Sequence, residues 1–234
     1  MSDTAIAGEF STRSRAAAAY TSLGGVLSLT VALPLVTFWR SEPLAVDRLG
    51  SLTLFEGQAL LVLFLASWFF LQNRVGARAF LHLARGRWAA RVAEGVRVGA
   101  AGWLVTMMAM LVLGIVAHLC HVTPHQGFAE VMVWMARRPI ALRLALIGAA
   151  MVVEEAFFRA FLQPRFGLAI ATLWFALSHV NYGSPLMSGG ILVIGWILGR
   201  TFRRSGDLAV CAVAHGTFDA IQLLVVLPLV AAHF

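Results

Sequence analysis

Lysine is missing from this sequence: all 18 of its basic residues are arginine. Cysteine is nearly missing too, with Cys120 and Cys211 far apart and each in or beside an apolar run. Two isolated cysteines make neither a disulfide framework nor a cysteine-rich metal site, so both read as packing residues. Charge is scarce, at 12% of residues, about half of what soluble domains carry. No Ser- or Pro-rich linker and no fixed-period repeat interrupts the chain, which argues for one domain. What is present is apolar: 60% of the 234 residues are hydrophobic, and the mean hydropathy is +0.83. A soluble fold of this size cannot hide that much apolar surface, so lipid is the expected solvent. The net charge of +7 does not point to nucleic acid. The arginines gather between apolar runs, as membrane topology requires, and do not line a groove for DNA.

A membrane-crossing helix takes about 20 mostly apolar residues. The candidate runs are 21–39, 54–72, 97–119, 140–163, 168–182, 188–202 and 208–222, with a short last piece at 223–234. Pro228 interrupts the final pair, which forms either two helices or one bent helix. The expected fold is therefore all-α, a polytopic transmembrane bundle of seven or eight helices. Its expected divisions are a cytoplasmic tail (1–20), N-terminal membrane helices and loops (21–139), a C-terminal core (140–222) and a short hydrophobic end (223–234). The first apolar run is long for a signal peptide and reads as a retained helix. The stretch 120–139 reads as a loop with an interfacial helix over 127–136. Arg74, Arg78, Arg85, Arg87, Arg91 and Arg97 assign the 73–97 connection to the cytoplasm. Alternation then puts the N-terminus, Arg165, and the 200–207 loop inside as well. Arg137 and Arg138 fall outside and read as headgroup anchors. The expected location is a bacterial inner membrane, with a multi-pass chain whose N-terminus is cytoplasmic.

Ionisable side chains inside membrane spans cost about 2.5–3.5 kcal/mol each on insertion scales. Here they are concentrated: Glu154, Glu155 and Arg159 in one span, His179 in the next, His215 and Asp219 in the last long one. Counted from the inner ends, at about 1.5 Å per residue, Glu154 lies roughly 13 Å deep and His179 roughly 17 Å. His215 and Asp219 lie roughly 12 and 18 Å deep on the same rise. Three helices of alternating direction thus bring polar groups to one level, near the membrane midplane, as a converging site requires. Glu155 and Arg159 are four apart and can form an ion pair on one helix face. Glu154 points about 100° away and is free for chemistry. His215 and Asp219 are also four apart, so Asp219 can hydrogen-bond to His215 or share a ligand with it. Gly216 leaves room there for another helix or a substrate backbone.

EEAFFR (154–159), FALSH (175–179) and HGTFD (215–219) resemble the EExxxR, FxxxH and HxxxN/D motifs of the CAAX-protease and bacteriocin-processing (CPBP, or Abi) intramembrane protease family. The stretch 195–215 resembles that family's approach to its last motif. The likeness covers about residues 140–220; the first 139 match only as generic membrane helices. The resemblance implies a glutamate-dependent intramembrane endopeptidase acting on a membrane-associated peptide or protein with a cleavable terminus. It implies that Glu154 activates water with help from His179, that His215 and Asp219 hold the oxyanion, and that Glu155 and Arg159 are structural. Many relatives carry Asn where this chain has Asp219. An ionised Asp cannot donate to an oxyanion, so Asp219 is either protonated or orients His215.

The chemistry stands without the resemblance. A carboxylate in an apolar pocket can serve as a general base, a neighbouring His can relay the proton, and a polar pair can stabilise an oxyanion in a water-poor site. No cofactor is required by this scheme. The metal alternative makes Glu154, His179, His215 and Asp219 a zinc-ligand set, although no HExxH is present. Other readings are a non-catalytic scaffold or immunity protein on the same fold, and a proton-coupled transporter. The absence of two similar halves weighs against a transporter. Membrane lipids and the substrate are the expected partners, and nucleic acid is not. His118, His121 and His125 look like a metal cluster, but Pro124 breaks the helix there and the segment reads as a solvated interface. Glu56 reads as solvated, Trp39, Trp134 and the Tyr182 region as interfacial belt residues, and Arg143 as snorkelling outward.

Overall fold

The computed structural model describes residues 9–40, 52–73, 75–121, 133–180 and 184–232. Its helices are α1 (Arg13–Arg40), α2 (Glu56–Leu71), α3 (Ala77–Phe80), α4 (Trp88–Leu119), α5 (Ile140–Ala149), α6 (Gln163–Leu177), α7 (Pro185–Ser205), α8 (Leu208–Ala220) and α9 (Leu227–Ala231). No strand occurs among the described residues, and the expected all-α bundle is what forms. Within the described residues, four stretches are long and apolar enough to cross a membrane: Arg13–Val36, Thr53–Leu71, Trp88–Leu119 and Leu208–Ala231. The Leu208–Ala231 stretch resolves the expected final pair into one continuous helical run. Between α8 and α9 it passes through a π-helical segment, Ile221–Val226, with Pro228 in the first turn of α9. A wider turn ahead of a proline accommodates the lost i→i−4 bond. Arg143 does not snorkel outward. Its Nη1 donates to the Leu223 carbonyl at 2.8 Å, inside that wide segment. The expected interfacial helix over 127–136, His125, the Tyr182 region and the Trp39 side chain lie largely or wholly outside the described residues, while His118, His121 and Glu56 are exposed.

Local chemistry explains where the helices stop. α1 begins at Arg13, ahead of the apolar run, because the Ala16–Ala19 stretch is a strong helix former. Gly167, at φ +84°, breaks the helix that α6 would otherwise continue from Gln163; a left-handed residue of this kind needs glycine. That break is the short turn expected near Arg165. Ser184 caps α7, accepting from the Met187 N–H at 3.5 Å, and Gly206 closes it in the left-handed region. Asp207 caps α8, accepting from the Ala209 N–H at 3.1 Å, and also pairs with Arg91 of α4 at 2.8 Å.

Small residues let the helices close on one another. α8 packs along α4, and α7 packs on α4 and α6. A Cβ at Gly95 of α4 would stand 2.6 Å from Val213 Cβ, and one at Gly99 would overlap the Ala214 carbonyl oxygen. Glycines four apart on a membrane helix give close backbone approach. A second core is aromatic. Trp68 of α2 is fully buried, with the rings of Phe10, Tyr20 and Phe161 at 5.3, 5.3 and 4.8 Å. Phe64, a turn earlier, meets Phe157 and Phe161 at 5.6 and 5.1 Å. This cluster fixes α1 and α2 against the helix that carries Glu154.

Candidate active site

Between α5 and α6 the chain does not follow α-helical geometry. Ala150–Glu154 and Ala156–Leu162 are π-helical, a rare, wide form frequently found at functional sites. Glu154 and Glu155 sit where the two segments meet, and both are buried. Buried carboxylates need partners, and each of these has two.

Glu154 Oε2 lies 3.6 Å from His179 Nε2, beyond direct hydrogen-bond length. Its other oxygen, Oε1, accepts from Gln58 Nε2 at 3.1 Å. His179 stands just past the end of α6. Its Nδ1 lies 2.7 Å from the Phe175 carbonyl and 3.0 Å from Ser178 Oγ. A carbonyl only accepts, so Nδ1 carries the hydrogen toward it, and Nε2 is the nitrogen that faces Glu154.

Glu155 Oε2 accepts from Arg159 Nε at 3.2 Å, and both side chains are fully buried. The ion pair read from their spacing is therefore present. Glu155 Oε1 also contacts His215 Nδ1 at 3.0 Å. His215 Nε2 lies 3.5 Å from Asp219 Oδ2. His215 is thus held between a carboxylate of another helix and one on its own. The two remaining guanidinium nitrogens of Arg159 are buried without hydrogen-bond partners among the described residues. The cation lies over the Phe175 ring, 4.9 Å from its centroid, where the ring's negative face offsets part of the burial cost.

Phe175 ties the two halves together. Its ring is 4.7 Å from His179 and 6.0 Å from His215, and 5.1 Å from Phe158. Gly216 has used its expected space on a helix neighbour: a Cβ there would stand 2.6 Å from Met151 Sδ. The six residues singled out by sequence (Glu154, Glu155, Arg159, His179, His215 and Asp219) are therefore brought together from the π-helical region, the turn just past α6, and α8. They form two groups that start from adjacent glutamates, Glu154 with His179 and Arg159–Glu155–His215–Asp219. Among the described residues, no group of three His, Cys, Asp or Glu side chains is arranged to hold a metal.

The family model described as Type II CAAX prenyl endopeptidase Rce1-like matches residues 136–221. The match supports the CPBP family. At family level it supports a CAAX-type intramembrane protease, and the matched residues include all six. No match was found among curated proteins or among solved structures. Gln58 lies outside the CPBP match and was missed by sequence reasoning. The available signal was an amide among apolar neighbours, EGQALLVLFL, a residue type that needs a partner inside a membrane helix.

Proposed function

We propose that the protein is an intramembrane endopeptidase in which Glu154 activates water to hydrolyse a peptide bond near the terminus of a membrane-associated substrate. One observation carries the reading: the buried Glu154 carboxylate and His179 Nε2 face each other at 3.6 Å. One water molecule can hydrogen-bond to both atoms across that gap, within the reach a general base needs. Glu154 takes the proton as the water oxygen attacks the carbonyl carbon. The proton then passes to the leaving amine, with His179 as the relay. Because His179 Nδ1 is turned to the Phe175 carbonyl, the ring presents one defined nitrogen to this exchange.

The same reading gives His215 the oxyanion. Its Nδ1 donates to Glu155 Oε1 at 3.0 Å, and its Nε2, with Asp219 Oδ2 beyond direct hydrogen-bond length at 3.5 Å, is the nitrogen left to face the oxyanion when the ring carries both hydrogens. In that form it supplies a fixed positive charge in a site of low dielectric, where such charge stabilises a developing oxyanion most. Asp219 then orients His215 and does not donate to the oxyanion itself. Glu155 and Arg159 hold the other side of the ring. The substrate class in this proposal is a chain ending in a prenylated cysteine and three further residues, following the matched family's description.

The test uses purified protein in phospholipid vesicles and an internally quenched peptide with a prenylated cysteine four residues from its C-terminus. The wild type is expected to cleave it, and Glu154→Gln to lose about 10²–10⁴ of the rate. Full activity of Glu154→Gln would rule out the Glu154 mechanism. Loss of wild-type activity with a chelator, and its return with zinc, would replace the water-activating glutamate with a metal-assisted reaction. Solute flux through the vesicles in place of cleavage would favour a transporter.

A further inference from the structure

The Glu154 carboxylate has a partner from the half of the chain that the family match does not reach. Gln58 lies in the first turn of α2, 96 positions away in sequence, and its Nε2 donates to Glu154 Oε1 at 3.1 Å. The contact is not a chance meeting of mobile ends. α2 packs on the π-helical segment Ala150–Glu154. Further along α2, Phe64 is fixed edge-on against Phe157 and Phe161, which follow Glu154 on the same helix.

The chemistry of the contact is specific. A carboxylate has two equivalent oxygens, and rotation about its last bond exchanges them. With Oε1 occupied by an amide N–H, the oxygen left facing His179 is Oε2. An amide is neutral, so it orients the carboxylate without neutralising it as an arginine or lysine would. An amide also cannot take up the proton that the base must accept. Arg159, the cation nearest in sequence, is bonded to Glu155 and leaves Glu154 to this neutral donor.

We propose that Gln58 is a positioning residue of the reaction, holding Glu154 with one oxygen turned to His179 and the attacking water. This rests on the endopeptidase reading above. It also makes the N-terminal helices part of the catalytic apparatus.

The experiment compares wild type, Gln58→Met, Gln58→Glu and Glu154→Gln in vesicles with the same quenched prenylated peptide. Gln58→Met keeps the length of the side chain and removes the donor. Its kcat is expected to fall about 10–100-fold, with KM within about twofold of wild type. The acid limb of its kcat/KM profile is expected to move to higher pH, because losing a donor to the carboxylate favours the protonated form. A mere loss of folded protein would lower the amplitude and leave the profile's shape unchanged. The groups facing Glu154, namely Gln58 from α2 and His179 beyond α6, with the chain of Glu155, Arg159, His215 and Asp219 beside it, are otherwise identical in the variant. Gln58→Glu places a second carboxylate against Glu154 and is expected to be less active than Gln58→Met.

A double-mutant cycle in thermal unfolding reads the contact without any substrate. Gln58→Met and Glu154→Leu, which removes the acceptor that Gln would keep, are expected together to lower Tm by less than the sum of their separate shifts. If the wild type cleaves, Glu154→Gln does not, and Gln58→Met matches wild type in kcat and profile, the positioning role is wrong and the endopeptidase reading stands. If the wild type cleaves nothing while the two positions remain coupled in Tm, the endopeptidase reading fails and takes the catalytic role of Gln58 with it. Additive Tm shifts overturn the contact itself.

Discussion

Asp219 is the residue where this chain departs from the HxxxN form of the motif, and its geometry assigns it to His215. The 3.5 Å approach of Oδ2 to His215 Nε2 needs only an acceptor, which an amide oxygen also supplies. Asp219→Asn is therefore expected to keep peptide cleavage within about tenfold of wild type, whereas Asp219→Ala loses about 100-fold; the ratio of the two rates in the vesicle assay checks this. Equal losses would mean that the charge, not the acceptor, is what matters. Arg159 makes a different demand. It is fully buried with Glu155, so removing it leaves a carboxylate short of its main charge partner. Arg159→Met is expected to cost about 3 kcal/mol of stability, read as a lowered Tm of protein in vesicles, with His215 too weak a partner to compensate alone. Both residues were legible in sequence because spacing of four on a helix predicts a pair. The contact from Glu155 to His215 was not, because it joins residues 60 positions apart and no periodicity within one helix can report it.

At the scale of the element, the site helix is π-helical on both sides of Glu155. Sequence periodicity assumes 3.6 residues per turn and cannot detect a wide turn. The i,i+4 pair of Glu155 with Arg159 nevertheless formed, so the adjacent glutamates face different partners, as their spacing predicts. α4 and α8 illustrate the packing that supports the site. Gly99 lies directly against the backbone of Ala214, one residue before His215. Gly99→Ala is expected to push α8 away and cost about 1–3 kcal/mol, with a larger loss of cleavage than of folded protein because His215 moves with the helix. Measuring Tm and kcat on one preparation separates the two effects. The GVRVGAAG pattern at 95–102 displays these small residues, but only the neighbouring helix shows what they make room for.

At the scale of the whole molecule, the polar groups meet as the depth counts anticipated, but not at the middle of every helix. On the Leu208–Ala231 run, Asp219 is central. On α2 and α6 the site contacts come from the ends, Gln58 in the first turn of α2 and His179 just beyond Leu177. Cys120 is exposed at the end of α4 and Cys211 is buried in α8, which gives a topology test. With the arginine-rich 73–97 connection in the cytoplasm, a membrane-impermeant maleimide added to intact cells is expected to modify Cys120 and spare Cys211 until the protein is denatured. Modification of Cys120 only after the cytoplasmic side is opened would reverse the orientation. The sequence by itself determined the all-α membrane fold and singled out the six polar residues that meet in it, because apolar run length and misplaced charge are local properties that lipid makes costly to violate. Only the tertiary structure decided that Glu155 bridges Arg159 to His215, that the last two apolar pieces are one run, and that Gln58 reaches Glu154. Those are contacts between distant segments, set by how rings and glycines pack, and packing is written in no single stretch of the chain.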